Sequence, residues 1–298
     1  MRSARSARFS GALNLMDALH SLLREVGRHT AFIGRRGRVF EVIAPHQRMD
    51  HTPFNVDFYG KRYAGDLSNW IDWHVYFMGA YAPAELAFMK RAAMVLRGAR
   101  GEVNYFDVGA NVGHHVLFMA DHADAVFAFE PFDHAAAELR RKVAENGIAN
   151  VRLFDLALGR ENAVAEMVLP DNHNWGAATL RRVPGVASFF VNVLRGDDLF
   201  ARERLPRMDI LKIDVEGHEA AVLDGLAERL RADRPIILTE LTGEERSGFE
   251  NAERLHAALY PDHVLYTLEP RGAGYRLAPF DLGSWEIVCM PAELAHLL

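Results

Sequence analysis

Ionisable side chains are concentrated in one short stretch of the sequence. Lys212, Asp214, Glu216, His218 and Glu219 follow one another at the end of a hydrophobic run and just before a predicted helix. In a strand, side chains two residues apart point to the same face, so Lys212 and Asp214 share one side. A carboxylate or an imidazole can take the proton of an attacking hydroxyl, and histidine has the reference pKa nearest neutrality. We interpret Asp214, Glu216 and His218 as candidate residues for the base or for positioning the acceptor, with His218 favoured as the base.

Two other interpretations of this stretch remain open. Gly217 and Glu219 are typical of a strand-to-helix turn with an acid in the first helical turn, and Lys212 with Asp214 could be a structural ion pair. Oxygen and nitrogen donors of this kind could also hold Mg²⁺. The sequence predicts no dedicated metal ligands, but a divalent metal is not excluded.

A glycine-containing turn lies between a predicted strand and a predicted helix. The short apolar strand containing Asp107 is followed by Gly109, Asn111 and Gly113 and then by the apolar run Val116 to Met119. Glycines let a backbone approach a ligand closely, and strand–turn–helix units of this type bind nucleotides. The spacing is not the G-x-G-x-x-G of dinucleotide-binding proteins.

An acid follows at the tip of the next predicted strand, Ala125 to Phe129. Glu130, followed by Pro131, lies about 20 residues after the glycine turn, where a doubly wound sheet places the acid that binds ribose hydroxyls. Glu130 could instead only cap the helix that begins near Pro131. The turn and the acid together favour ligand binding.

Four motifs in this order resemble one family. They are Asp107-Val-Gly-Ala-Asn-Val-Gly113, Phe129-Glu-Pro131, Ala157-Leu-Gly159 and Leu211-Lys-Ile-Asp-Val-Glu-Gly-His-Glu219. The set is similar to the FkbM-type S-adenosylmethionine-dependent methyltransferases over about residues 59–290. The resemblance implies an α/β class I methyltransferase fold, Rossmann-like, with a seven-stranded, mostly parallel sheet whose last strand is antiparallel. Relatives often have a tyrosine and a small hydroxyl residue where this chain has His114 and His115.

The same resemblance implies the cofactor, the reaction and the binding residues. The cofactor would be S-adenosyl-L-methionine, with S-adenosyl-L-homocysteine as the product, and the reaction O-methylation of a small molecule, sugar or glycan. Its cofactor-binding residues would be Asp107, Gly109, Asn111, Gly113, Glu130, Pro131, Asp155 and Ala157. Asp155 ends the third predicted strand, at the ligand crevice of such a sheet, although an Asp there could equally form a turn.

Candidate acceptor contacts lie in two polar, glycine-punctuated regions. The segment of residues 171–182 is a long insert between strands, and inserted loops on a rigid scaffold often carry recognition. We assign Trp175, Thr179 and Arg181 of this insert to the acceptor site. Tyr59 and Tyr63, in a predicted loop between residues 46 and 69, are the other two candidates.

Composition narrows the functional classes. Of 298 residues, 34 are Lys or Arg and 40 are Asp or Glu, which gives a formal net charge of −6 and makes a nucleic-acid partner unfavourable. The single Cys289 predicts a reduced, cytoplasmic setting, and no apolar run reaches the length of a membrane span. N-methyl transfer, an NAD-dependent oxidoreductase and a non-catalytic binding module of the same fold are the alternatives to an O-methyltransferase.

Alternating strands and helices predict helices on both faces of a parallel sheet. We expect residues 101–298 to form the cofactor-binding domain and residues 1–100 an α+β cap on the acceptor side, with an amphipathic helix, a hairpin within residues 31–44 and helices over residues 70–77 and 83–96. The apolar stripe of the first helix, from Leu13 to Leu23, indicates packing on its own domain or on a second subunit as a homodimer.

Overall fold

The computed structural model describes residues 22–27, 40, 42–45, 49, 51–168, 180, 188–241, 249, 251–272, 274–281 and 286–298. The chain divides into two compact units, Met1–Tyr81 and Ala82–Leu298. The helix over residues 83–100, which the sequence places in the cap, is therefore part of the second unit. The role of the N-terminal residues on the acceptor side stays a prediction.

The first unit contains a hairpin and a helix. Strands β1 (Pro53–Phe58) and β2 (Lys61–Asp66) pair antiparallel across a turn at Tyr59 and Gly60. Both turn residues have positive φ, 51° and 81°, as a type I′ turn requires. Helix α1 (Trp70–Met78) follows. The sequence predicts a loop where this hairpin forms, and that prediction is wrong.

Capping and core packing fix helix α1. The side chain of Asn69 accepts hydrogen bonds from the first free backbone amides, and Gly79 ends the helix in the left-handed conformation. Trp73 and Phe77 are fully buried. Trp73 donates its indole N–H to the carbonyl of Ala44 at 2.7 Å.

Residues 22–27 are helical, in agreement with the end of the predicted amphipathic helix, and the rest of that helix lies outside the described residues. Phe40, Val42 and Ile43 are also helical. They contradict the second strand of the hairpin predicted within residues 31–44, because short apolar runs do not distinguish a strand from a buried helix.

An eight-stranded sheet is the centre of the second unit, in the order β12-β11-β13-β10-β9-β3-β4-β5. Its strands are β3 (Asn104–Val108), β4 (Ala125–Phe129), β5 (Val151–Phe154), β9 (Ile210–Ile213), β10 (Ile236–Glu240), β11 (His263–Arg271), β12 (Gly274–Pro279) and β13 (Glu286–Pro291).

The direction of the strands agrees with the predicted fold, but their number does not. Strands β5, β4, β3, β9 and β10 are parallel, and the last strand, β13, is antiparallel to β10 and β11. Strand β12 forms a hairpin with β11 at the sheet edge. This strand is the eighth, where the resemblance implies seven.

Helices lie on both faces of this sheet. They are α2 (Pro83–Arg100), α3 (His114–Met119), α4 (Asp133–Glu145), α5 (Gly196–Glu203), α6 (Glu219–Gly225), α7 (Ala227–Asp233) and α8 (Ala252–Ala258). On one face, Phe106 and Ile213 pack into a hydrophobic core with residues of α5, α6 and α8. Helix α2 contacts β9, β11 and β12, and α3 contacts β3 and β4. A short 3-10 helix, Ala292–Leu294, follows the last strand.

A second, three-stranded sheet is inserted between β5 and β9. Its order is β6-β8-β7, with β6 (Ala157–Gly159), β7 (Ala163–Val168) and β8 (Ser188–Arg195). The ideal Cβ position of Gly225 is 1.9 Å from the carbonyl oxygen of Gly159. Only a glycine allows this approach, which joins α6 to β6. Among the described residues, no helix combines the length and apolarity needed to cross a bilayer.

Candidate active site

The glycine turn connects β3 to α3 along a path that larger residues could not follow. Gly109 and Gly113 each have φ of +86°. A Cβ on Gly109 would lie 1.8 Å from the carbonyl oxygen of Asp214, and a Cβ on Gly113 would lie 2.2 Å from Cδ1 of Leu139. Asn111 also has positive φ, which Asn tolerates better than most residues. The two glycines therefore bring the turn against the tip of β9 and against helix α4.

Glu130 joins the glycine turn to the tip of β4. Its carboxylate is buried and accepts the backbone N–H groups of Asn111 and Phe132, each at 2.8 Å. A carboxylate has about four acceptor positions, so two remain for hydroxyl donors. Burial raises the pKa of Glu130 to about 7, against the effect of the two amides. Glu130 is thus placed where the sequence predicts a ribose-binding acid.

Asp214 is the residue directly after β9 and lies at the same edge of the sheet. Its backbone N–H donates to the carbonyl of Val108 at 3.0 Å. The ammonium of Lys212 donates to Oδ2 of Asp214 at 2.9 Å. Lys212 is buried, whereas the Asp214 side chain is 32% exposed. The ion pair predicted as an alternative therefore exists, and it holds a partly exposed carboxylate at the crevice.

The structure does not gather the three candidate catalytic residues at one point. Asp214 and Glu216 both raise the pKa of Glu240 by their negative charge, after the larger effect of burial. The ring of His218 instead lies beside β6, with Nε2 3.1 Å from the ideal Cβ position of Gly159. Burial, and then the charge of Arg160, lower the pKa of His218. Glu219 accepts the backbone N–H groups of residues 215 and 217 and so stabilises the turn.

A buried group of carboxyl side chains lies on the sheet face that α2 and α3 cover. Alternation and strand pairing place Asp107 beside Lys212, and Glu240 pairs with Glu286 across β10 and β13. Glu85, in the first turn of α2, has Oε2 3.1 Å from Nε2 of His115 on α3. We call Glu85, Asp107, Asp214, Glu240 and Glu286, which surround Lys212, the carboxyl layer.

Burial sets the protonation of the carboxyl layer. It raises the pKa of Asp107 to about 6, of Glu240 to about 8 and of Glu286 to about 9, and in each case Lys212 opposes the change. Neighbouring carboxylates raise these values further. Lys212 has a raised pKa, since the surrounding carboxylates outweigh its burial. Glu240 and Glu286 therefore hold protons at neutral pH.

Asp107 is the member of this layer with the least compensation. Its side chain is fully buried, and neither carboxylate oxygen accepts a well-aligned hydrogen bond within the part of the chain that the structure describes. Buried acceptors of this kind are rare in proteins, so the arrangement around Asp107 indicates a specific role. Asp107 was predicted from the glycine motif, but Glu85, Glu240 and Glu286 were not among the predicted site residues.

We expect Glu286→Gln to stabilise the protein increasingly as the pH rises. The unfolded chain ionises Glu286 near its ordinary pKa of 4.5, whereas the folded chain keeps it protonated to about 9. The folded state thus binds more protons, and wild-type stability falls as the pH rises through this window. Calorimetry should give a Tm gain of roughly 3 °C or more at about pH 8.5 and less at about pH 5. The exposed Glu161→Gln is the control. A gain in Tm that is equal at both pH values, or an equal gain in Glu161→Gln, would contradict a raised pKa of Glu286.

The remaining cofactor candidates lie near the third strand tip. Asp155 is half-exposed and forms an ion pair with Arg140 on α4. Ala157 is buried in β6, and Pro131 is partly buried after Glu130. Asp155 also lines an open cavity of about 550 Å³, together with Leu156, Asn162, Ala163, Val164, Asn192, Val193, Leu194 and Arg202. The adenine contact of Asp155 and Ala157 stays a prediction.

The acceptor candidates have different outcomes. Tyr63 is in strand β2 and not in a loop; its ring is fully buried and its hydroxyl donates to Asp72 at 2.7 Å. This burial leaves no surface for a ligand, so Tyr63 is withdrawn as an acceptor contact. Tyr59 is 53% exposed at the hairpin turn. Trp175, Thr179 and Arg181 lie outside the described residues. Within the described part of the chain, no group of three or more His, Cys, Asp or Glu side chains has the arrangement of a metal site.

The parallel sheet, its inserted antiparallel last strand and the acids at its carboxyl edge define the class I methyltransferase architecture. The model of the Methyltransferase FkbM domain matches residues 107–277, more than half of the chain. The chain belongs to this family.

Individual relatives are more distant. The chain is 27% identical over 149 residues to the hexuronic acid methyltransferase AglP of Haloferax volcanii, a match that covers 49% of this chain and 59% of that protein. The crystal structure of an FkbM methyltransferase from Methylobacillus flagellatus matches 89% of this chain and 62% of that chain, with 14% identity and a TM-score of 0.43. An O-methyltransferase from Bacillus cereus in complex with SAH matches 68% and 80%, with 14% identity and a TM-score of 0.40.

Proposed function

We propose that this protein is an S-adenosylmethionine-dependent O-methyltransferase that acts on a hydroxyl group of a sugar, glycan or other small molecule. The observation that carries this proposal is the buried Glu130 carboxylate, held by an amide of the glycine turn, at the same sheet edge as Asp107 and Asp214. Family membership supports methyl transfer as the reaction class.

The described residues fit an adenosyl donor. Glu130 retains acceptor positions for the two ribose hydroxyls, and its contact with Asn111 places it beside the glycine turn. The buried carboxylate of Asp107, which accepts no well-aligned hydrogen bond within the described residues, suits the ammonium group of the amino-acid part of such a donor. The bound donor supplies an electrophilic methyl group on a sulfonium centre.

The protein's own contribution is to position an acceptor and to take its proton. Asp214 is the group best placed to accept a hydroxyl proton, because Lys212 fixes Oδ2 while the side chain stays partly exposed. Glu216 lies on the same side and could orient the acceptor, whereas His218 contacts β6 and is a weaker candidate for the base.

The acceptor class rests on one relative. AglP of Haloferax volcanii is named as a hexuronic acid methyltransferase, and this supports a sugar hydroxyl as the methyl acceptor here. The match covers 59% of that protein, so the sugar itself is to be found by experiment. Tyr59 and residues 175, 179 and 181 are kept as proposed acceptor contacts, and the homodimer and the cytoplasmic location are kept as proposals from the sequence.

A cofactor titration followed by a labelled-methyl screen tests the proposed function. Isothermal titration should show binding of S-adenosylhomocysteine and no binding of NAD. Purified protein with S-adenosylmethionine labelled in the methyl group should then transfer label to members of a panel of neutral and acidic sugar glycosides. Binding of NAD instead of S-adenosylhomocysteine, or label transfer only to amines, would contradict the proposal.

A further inference from the structure

The carboxyl layer contains more acid than the proposed chemistry uses. Asp214 takes the acceptor proton, yet the buried Glu85 and the partly buried Glu240 and Glu286 lie with it around one ammonium, that of Lys212. Burying carboxyl groups without matching cations is unfavourable, and proteins keep such groups mainly at functional sites. The layer therefore needs an explanation beyond packing.

Several elements contribute the titratable groups that face this layer. They are Glu85 from α2, Tyr105 and Asp107 from β3, His115 from α3, Lys212 and Asp214 from β9 and its end, Glu216 from the following turn, Glu240 from β10 and Glu286 from β13. Only Lys212 is cationic among them, since burial lowers the pKa of His115 far below its ordinary value.

The balance of charge around this layer favours a positive ligand. Five carboxyl groups face one ammonium, and they are close enough to interact with one another. Among the described residues, no donor makes a well-aligned hydrogen bond to the fully buried Asp107 carboxylate, which lies on the face shared with Lys212. A cation bound beside these groups would favour their ionised forms, and protons would leave. Loss of the cation would raise the proton affinity of these carboxyl groups again.

We propose that the carboxyl layer is the proton acceptor of the methyl-transfer reaction and that its affinity for a proton rises when the positive charge of the donor is lost. This inference rests on the proposed function. The acceptor oxygen forms the new C–O bond, the C–S bond breaks with its electron pair on sulfur, and the hydroxyl proton passes through Asp214 to a carboxylate of the layer. One positive charge and one negative charge disappear together, so the net charge of the site is conserved.

The geometry explains why the other buried groups do not accept the proton of the reaction. Lys212 is held in its charged form by the ion pair with Asp214 and has no free site for a proton. His115, whose Nε2 lies 3.1 Å from Oε2 of Glu85, is a weak base because burial lowers its pKa well below the ordinary value. Glu130 accepts two backbone amides and meets the ribose, which is the same in the donor and the product. Its response therefore cancels when the two ligands are compared.

Calorimetric proton counting tests this inference without turnover. S-adenosylmethionine and S-adenosylhomocysteine are each titrated into the full-length protein at about pH 7.5, in buffers of different ionisation enthalpy and without acceptor. The number of protons released follows from the dependence of the heat on the buffer. We expect the sulfonium ligand to release about half a proton or more beyond the thioether ligand.

Variants test whether the carboxyl layer causes the difference in proton release between the two ligands. In Glu240→Gln/Glu286→Gln the difference between the two ligands should fall to less than half of its wild-type value, and either single variant should lower it in part if the double variant does not fold. The surface variant Glu161→Gln should leave it unchanged. Equal proton release by both ligands in the wild type, or an unchanged difference in the variants, would overturn the inference while binding itself upholds the proposed function. Failure of both ligands to bind would overturn the proposed function and, with it, this inference.

Discussion

Replacement of Glu130 by Ala is expected to weaken S-adenosylhomocysteine binding by roughly 100-fold or more. Hydrogen bonds to charged groups contribute about 1.5–3 kcal/mol each, and the ribose offers two hydroxyl donors, which corresponds to at least this loss of affinity. The substitution also removes the acceptor for the amides of Asn111 and Phe132, while the backbone hydrogen bonds from Gly109 and Ala110 to the carbonyl of Phe129 still attach the turn to the tip of β4. Isothermal titration measures the change in Kd directly.

The control for this experiment is Glu161→Ala, which removes an exposed acid next to the third motif. It should bind the ligand as the wild type does. Circular dichroism and a thermal scan establish that Glu130→Ala is folded. A folded Glu130→Ala variant with a Kd within about threefold of the wild type would show that the acid is only a structural link between two turns.

The second large effect is expected at Asp214. Asp214→Asn should lower kcat by about 100-fold or more, because general bases contribute about 10²–10⁴-fold to rates. The amide keeps the shape of the side chain but has no basic oxygen, and Lys212 loses its carboxylate partner. The Kd for S-adenosylhomocysteine should stay within about threefold of the wild type, since Glu130 and the glycine turn are intact. Steady-state kinetics and titration on the same preparation separate the two quantities.

His218→Gln is the matched comparison for Asp214→Asn. The ring packs beside Gly159 on β6 and faces Arg160, so this substitution should reduce kcat far less. If His218→Gln lost as much turnover as Asp214→Asn with unchanged cofactor binding, the base would be the histidine and the carboxylate would be a structural partner of Lys212. Equal loss of turnover and cofactor affinity in Asp214→Asn would also contradict the assignment.

The cofactor side of the site could be predicted because its residues follow strands directly. Asp107, Gly109, Glu130 and Asp214 lie at the ends of β3, β4 and β9. The carboxyl ends of parallel strands meet at one edge, so sequence position alone brings these residues together. The predicted bounds of β4 match the structure, because this strand is a short apolar run that ends at turn residues.

The carboxyl layer could not be predicted in the same way. Glu85, Glu240 and Glu286 come from α2, β10 and β13, which are far apart in the sequence. Only strand order and pairing place them around Lys212, and no local pattern encodes that order. Their single-residue signals, an acid in a first helical turn and acids at strand ends, are ordinary at protein surfaces.

Tyr63 illustrates the opposite error. Gly60 and Gly65 suggest a loop, but Tyr59 and Gly60 form a tight turn with positive φ, and the flanking residues pair as strands. The Tyr63 hydroxyl is satisfied by Asp72 inside the first unit. The turn residues Tyr59 and Gly60 differ from the usual Asn-Gly pattern, so the sequence did not indicate this hairpin. Helix α6 ends at Gly225, whose backbone β6 approaches closely.

A crystal structure of the protein with S-adenosylhomocysteine tests the central claim most directly. We expect both ribose hydroxyls to donate to the carboxylate of Glu130. The glycine turn should contact the ligand, and the amino-acid part of the ligand should lie near Asp107. A ligand bound elsewhere, or Glu130 turned away from the ribose while its two amide contacts persist, would contradict it.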